Sequence, residues 1–192
     1  MSAVILPLWL LGCGPKVTQF HVVDYRPSGE AHGYFQAFDE CYYCTDAHGN
    51  VDIVARHTTV NGESPTTTQV VHMRTFWVPK PGRTYAERTM INATVSYMIV
   101  SGPDGATFEG SGFLCFRADR RRQQIKGRLE LSSLKPQRRL GSAERLFDKA
   151  ELSGEFVAQR DKARVIATLR EMRRLFGPMP EYDLSAYDPD IR

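Results

Sequence analysis

This sequence predicts a mainly β domain: an antiparallel β-sandwich or partly open barrel of about eight strands, with one α-helix at the C-terminal end. Three observations lead there. Runs rich in Val, Ile, Thr, Tyr and Phe recur along the chain, and several alternate apolar with polar residues, as a strand with one buried face must. Clusters of Gly, Pro, Asn and Asp separate these runs roughly every 10–15 residues. A clear helical period occurs near the C-terminal end, from Asp161 to Gly177. At 192 residues the chain has the length of one ordinary domain.

The elements follow in order. Val17 to Tyr25 opens the β region, and Pro27-Ser28-Gly29 closes that strand with a turn. Tyr34 to Thr45 and Val51 to Val60 flank Asp46-Ala47-His48-Gly49-Asn50. Gly and Asn tolerate the positive φ of a tight reversal, so these two runs read as a hairpin. In its second arm Val51, Ile53 and Ala55 alternate with Asp52 and Arg56, which predicts a single buried face. Asn61-Gly62-Glu63-Ser64-Pro65 breaks the chain before Thr67 to Val78, whose Phe76 and Trp77 either end a core strand or present an aromatic loop. Pro79-Lys80-Pro81-Gly82 stops that strand, because proline has no N–H to donate to a ladder. Thr89 to Val100 alternates again, and Ser101-Gly102-Pro103-Asp104-Gly105 turns the chain. Ala106 to Phe116 and Gln123 to Leu134 form a second hairpin around Ala118-Asp119-Arg120-Arg121. Within it Gly110-Ser111-Gly112 marks a bulge or a close backbone approach. Residues 135–148 read as a longer loop with one helical turn near Glu144 to Phe147, and Lys149 to Gln159 is the last strand.

The helix has its own signals. Asp161 is a good N-cap, and Val165, Leu169, Met172 and Phe176 recur on one face with Ile166 beside them. Arg173 and Arg174 suit the negative end of the dipole, and Gly177-Pro178 stops the helix. An apolar stripe of that kind has to cover part of the β-domain. Five such side chains contribute roughly 1.5–3 kcal/mol each before entropy, enough to dock it.

The N-terminal residues assign a place. Ala3 to Leu11 is an apolar run broken only by Pro7. A membrane-spanning helix needs about 20 apolar residues, whereas about nine match the core of a secretory signal. The ending Leu10-Leu11-Gly12-Cys13 resembles the lipobox of bacterial lipoprotein signal peptides. The resemblance covers only this leader. It implies cleavage after Gly12, acyl chains on Cys13, and an extracytoplasmic protein tethered to a membrane of the cell envelope. Stable anchoring takes about two chains, each buried CH2 adding roughly 0.8 kcal/mol. The alternative for the same residues is a buried strand from Val4 to Leu11, which Pro7 and Gly12-Cys13-Gly14-Pro15 oppose. The chain then divides into a signal peptide (1–12), a β-domain (13–160), a helix packed on that domain (161–177) and a tail (178–192). With Cys13 acylated, Cys41, Cys44 and Cys115 remain, an odd number, so the core and not a disulfide framework must hold the fold.

Cys41-Tyr42-Tyr43-Cys44 is a C-x-x-C, but its surroundings read as a strand. A redox pair wants a helix N-terminus, and haem attachment wants His where Thr45 stands. Zinc could recruit His48 and His57 beside Cys41 and Cys44. A disulfide requires the strand to break or bulge, because residues i and i+3 of a strand lie about 10 Å apart on opposite faces. The plain reading is two small apolar residues. His21, His32 and His72 stand singly on strands or turns. Asp39 and Glu40 are adjacent, which on a strand sends them to opposite faces.

Arg117, Arg120, Arg121, Arg122, Lys126 and Arg128 make the strongest surface signal, on a hairpin tip and its two arms. Clustered arginines attract phosphate groups, and beside a bilayer the nearest phosphates are lipid headgroups. The plain alternative is a solvated turn that keeps an edge from pairing. Aromatic stacking partners are absent from the cluster, and a net charge of +3 is too small to imply nucleic acid.

These observations predict a membrane-anchored envelope protein, a non-enzymatic binding or assembly module needing no cofactor. Its partners are the membrane, through the lipid anchor, with other envelope proteins or anionic lipid, and not nucleic acid. Two alternatives stay open. An envelope hydrolase acting on wall or glycan material needs two of Asp39, Glu40, Asp52 and Glu109 within about 5–10 Å of each other in a cleft lined by Tyr or Trp. A metal-binding protein would use Cys41 and Cys44.

Overall fold

Among the described residues, nine strands and one helix follow along the chain. They are β1 (Thr18–Tyr25), β2 (Ala31–Phe38), β3 (Glu40–Thr45), β4 (Val51–Thr59), β5 (Thr67–Thr75), β6 (Ala93–Ser101), β7 (Asp104–Asp119), β8 (Gln124–Leu140), β9 (Lys149–Arg160) and α1 (Lys162–Phe176). This computed structural model describes residues 17–25, 28–60, 62, 65–77, 91–142 and 149–177. The expected leader with Cys13, the proline stop expected at 79–82, the turn expected near 144–147 and the residues from 178 lie outside the described residues. The fold class is as predicted: mainly β, with a single C-terminal helix.

The strands form one sheet in the order β2-β1-β9-β3-β4-β5-β6-β7-β8, and β8 also pairs with β9. The pairings from β3 through β9 therefore make a closed circuit. Its closing link is parallel and short, Tyr42 with Gln159 and Tyr43 with Arg160, whereas the remaining pairings are antiparallel. β1 occupies the earlier stretch of the same side of β9, from Lys149 to Glu155, with β2 outside it.

Alternation decides which side chains fill the inside. Phe20, Phe38, Cys41, Ile53, Val71, Val95, Phe108, Leu129 and Leu152, one from each strand, belong to a single buried cluster. A second cluster lies on the outer face. There Cys44, Val54, Val70 and Met98 meet Val165, Leu169, Met172 and Phe176 of α1. The helix starts and stops where its sequence predicts. Asp161 accepts a hydrogen bond from the Arg164 N–H at 3.0 Å, and the Gly177 N–H bonds the Arg173 carbonyl with Gly177 at φ +80°. The Arg138 guanidinium donates to the Phe176 carbonyl and ties that end to β8.

Several elements differ from their sequence reading. The run from Tyr34 to Thr45 is two strands, and this split supplies the ninth. The chain bends at Asp39 and changes neighbours there, because β2 pairs with β1 and β3 with β4. Phe38 and Cys41 both face the inner core although they are an odd number of residues apart, which an unbroken strand forbids. Residues 135–140 continue β8 rather than forming a loop. Among the described residues the β8–β9 ladder ends at Leu134, and Pro136 sits beside a register shift of the β7–β8 ladder, where a missing N–H is tolerated. β5 ends at Thr75 and β6 starts at Ala93. Between β6 and β7, Asn92 satisfies the Leu114 backbone from its side chain, at 2.9 Å to the carbonyl and 2.7 Å from the N–H. β4 is buried on both faces from Val51 to Ala55, not on one. The Gly110 expectation is met: a Cβ there would lie 2.0 Å from the Ser133 carbonyl oxygen.

Candidate functional site

The basic hairpin tip is built by the β7–β8 turn. Asp119 Oδ1 accepts from the backbone N–H groups of Arg121 and Arg122 at 3.1 and 3.2 Å, and Gln123 takes φ +49° to complete the reversal. The predicted cluster divides. Arg117, Arg120, Arg121 and Lys126 line one cavity of about 480 Å³. Arg122 leans to Asp119 at 3.8 Å, and Arg128 pairs with Glu130 at 2.5 Å. Arg117 and Lys126 are directly opposite each other in the ladder. Like charges so placed oppose the pairing rather than support it.

A second site lies between α1 and the sheet. Asp39, Glu40, Arg56, Arg164, Thr168 and Glu171 line an open cavity of about 660 Å³. Arg56 holds Glu171 with both terminal nitrogens, at 2.6 and 3.2 Å. Arg164 bonds Glu40 at 3.1 Å and lies 5.1 Å from the centre of the Tyr42 ring. Asp39 and Glu40 share this cavity, contrary to the expectation of opposite faces, because Asp39 occupies the bend and not a strand. His57 Nδ1 lies 2.6 Å from Asp39 Oδ2 and its Nε2 lies 2.9 Å from the Thr59 hydroxyl. The order carboxylate, imidazole, hydroxyl has the look of a proton relay. Any His-x-Thr on one strand face yields the last contact, so it is a local consequence of spacing.

Sequence reasoning missed a buried polar cluster on the outer face. Asp52 and His72 are 0% and 1% exposed, with His72 Nε2 2.7 Å from Asp52 Oδ1. Arg74 bridges Asp52 at 3.3 Å and Asp46 at 2.7 Å. Asp46 also accepts from the His48 N–H, the Asn50 N–H and the Asn50 side chain. Burial by itself would raise the Asp46 carboxyl; the hydrogen bonds from Asn50 and His48, with the Arg74 guanidinium, outweigh it and hold it below the ordinary value of 3.8. The alternation of β4 hinted at a polar outer face, but nothing local indicated that this face is covered. In register, Ser96 stands beside His72 and Glu109 beside Ser96. Asp52 and Glu109 sit on strands three spacings apart, about 14 Å between backbones, and Asp52 is engaged by His72 and Arg74.

The four candidate metal ligands are not brought together. Cys41 belongs to the inner cluster and Cys44 to the outer one beneath the helix. His48 is in the turn after β3, and His57 is engaged by Asp39 and Thr59. Burial pushes both thiols up to about 12, with the Thr18 hydroxyl opposing it at Cys41 and Asp52 reinforcing it at Cys44. Neither is a thiolate at neutral pH, the form that binds metal or attacks. His21 stacks on Phe35 at 4.6 Å, and His32 lies 3.7 Å from Glu30 on the surface.

Among the described residues no helix is long and apolar enough to cross a membrane. In comparisons with known proteins, no family model, no curated protein and no solved structure matches this chain.

Proposed function

We propose that this chain is a lipid-anchored protein of a bacterial cell envelope whose β-domain serves as a binding or assembly module. The observation that carries the reading is the spacing between Leu10-Leu11-Gly12-Cys13 and the first strand. Val17 follows Cys13 by four residues, and Thr18 begins β1. Four residues reach at most about 14 Å, so acyl chains on Cys13 hold the domain against the headgroup layer. β2 is the outermost strand on one side of the sheet order and carries Phe35 at 69% exposure, which suits a module that meets a protein partner. Feeding cells a clickable fatty acid tests the anchor. Label on the wild-type protein and none on Cys13→Ser supports it; an intact Met1 and no lipid mass overturn it.

A second reading has one observation in its favour. Asp39 and Glu40 line the same open cavity, so two carboxylates face one space as an envelope hydrolase acting on wall glycan needs, although no Tyr or Trp among the described residues lines it. Glu40 is engaged by Arg164 and Asp39 by His57; Asp39, the more exposed of the two, is the group to test. Release of soluble fragments from wall material by the wild type, lost in Asp39→Asn, supports this reading. An inert wild-type protein overturns it.

A further inference from the structure

We propose that the β7–β8 tip is a second membrane contact, seated on anionic lipid headgroups, which orients the domain on the bilayer. It deepens the lipid-anchor reading and rests on it for the presence of a membrane. The first ground is charge. Arg117, Arg120, Arg121 and Lys126 line one cavity with a single carboxylate, Asp119, so four cations face one anion there. That carboxylate is already occupied by the turn, through the N–H groups of Arg121 and Arg122. Arg117 and Lys126 repel each other across the ladder, and a phosphate between them removes the repulsion. A guanidinium presents a planar fork of donors that matches two phosphate oxygens.

Position is the second ground. Lys126 is the cross-strand partner of Val157. On the other side of β9, the Val157 N–H and carbonyl bond the Thr18 hydroxyl at 3.1 and 3.3 Å. Lys126 and Thr18 are therefore two strand spacings apart, about 10 Å. Val17 and Gln124 line a common cavity. β1 and β8 are both antiparallel to β9, so the first residues of β1 and the tip preceding Gln124 lie toward the same end of the sheet. An anchor on Cys13, four residues before Val17, would bring this end of the sheet, and the tip cations with it, to the headgroup layer. No aromatic side chain lines the tip cavity, which disfavours a stacked nucleic acid.

The test uses the full chain and a variant carrying Arg117→Gln, Arg120→Gln, Arg121→Gln and Lys126→Gln, on vesicles of phosphatidylcholine alone and with added phosphatidylglycerol. Each basic residue near an anionic surface strengthens binding about fivefold, so the wild type gains at least about tenfold from phosphatidylglycerol. The variant loses that gain, and so does the wild type in about 1 M salt, where the Debye length shrinks to about 3 Å. The salt arm shows that the gain is electrostatic; the pair Arg120→Gln with Arg121→Gln, both exposed in the turn, assigns it to the tip even if the fourfold variant disturbs the hairpin, and a full gain retained in that pair overturns the proposal. No gain from phosphatidylglycerol in the wild type overturns the proposal, as does a gain that survives high salt. An oligonucleotide bound as tightly as the anionic vesicles also overturns it. Absence of lipid on Cys13 would overturn the anchor alone, because the phosphatidylglycerol gain is read separately from binding to neutral vesicles.

Discussion

His72 and Asp52 meet at 2.7 Å on the outer face of the sheet, both wholly buried, with Arg74 on the second carboxylate oxygen. Removing Asp52 from such a cluster leaves Arg74 short of a counter-charge and His72 without its hydrogen-bond partner in a buried site, at a cost of about 3–5 kcal/mol. Asp52→Ala is expected to lose that much in urea unfolding. Asp39→Asn, which touches only the exposed contact with His57, is expected to lose less than about 1 kcal/mol. Equal losses in the two variants would remove Asp52 from the structural core.

Asp46 makes stability depend on acid. Its carboxyl is held below the ordinary value of 3.8 in the folded state. A depressed folded value adds stability that is fully present above the unfolded value and is lost as pH falls through the folded one. Unfolding free energy is therefore expected to decline as pH drops below about 4, and Asp46→Asn should show a shallower decline in the same window. Identical acid limbs for the two proteins would contradict the assignment.

The helix holds to the sheet through its apolar stripe. Leu169 is 1% exposed against the outer cluster, whereas Leu175 is 41% exposed on the same helix. Leu169→Ala is expected to cost about 2–5 kcal/mol. For a chain of this size that lowers Tm by roughly 5–15 °C. Leu169→Asp costs at least as much. Leu175→Ala should stay within about 0.5 kcal/mol. A melting temperature unchanged in Leu169→Asp would mean the helix is not docked.

Thiol reactivity separates the cysteines. Burial pushes Cys41 and Cys44 to about 12, and it raises the half-buried Cys115 as well, with Glu130 adding to it. Iodoacetamide at about pH 8 is expected to modify Cys115 first, with Cys41 and Cys44 following only when the domain opens. Peptide mapping by mass spectrometry reads the order. Rapid labelling of Cys44 in folded protein would show that the helix does not cover it.

Local chemistry was legible. The helix from Asp161 to Gly177 needed only its period and its caps, and the Asp46 to Asn50 reversal needed only its turn residues, because both depend on neighbours a few positions away. The clustering of the tip arginines was equally visible. Which of them share a cavity was not, since that depends on the acids Asp119 and Glu130 and on the register of β7 against β8.

By itself the sequence determined the strand-rich class and the C-terminal helix with its buried stripe. Only the tertiary structure decided that the chain changes partners at Asp39, that β8 runs on past Pro136, and that Asp52 lies covered beside His72. The reason is physical. An alternating pattern records which side chains avoid water, but the strand that comes to lie alongside, and whatever shelters the second face, are set by the closure of the whole sheet through pairings distant in sequence.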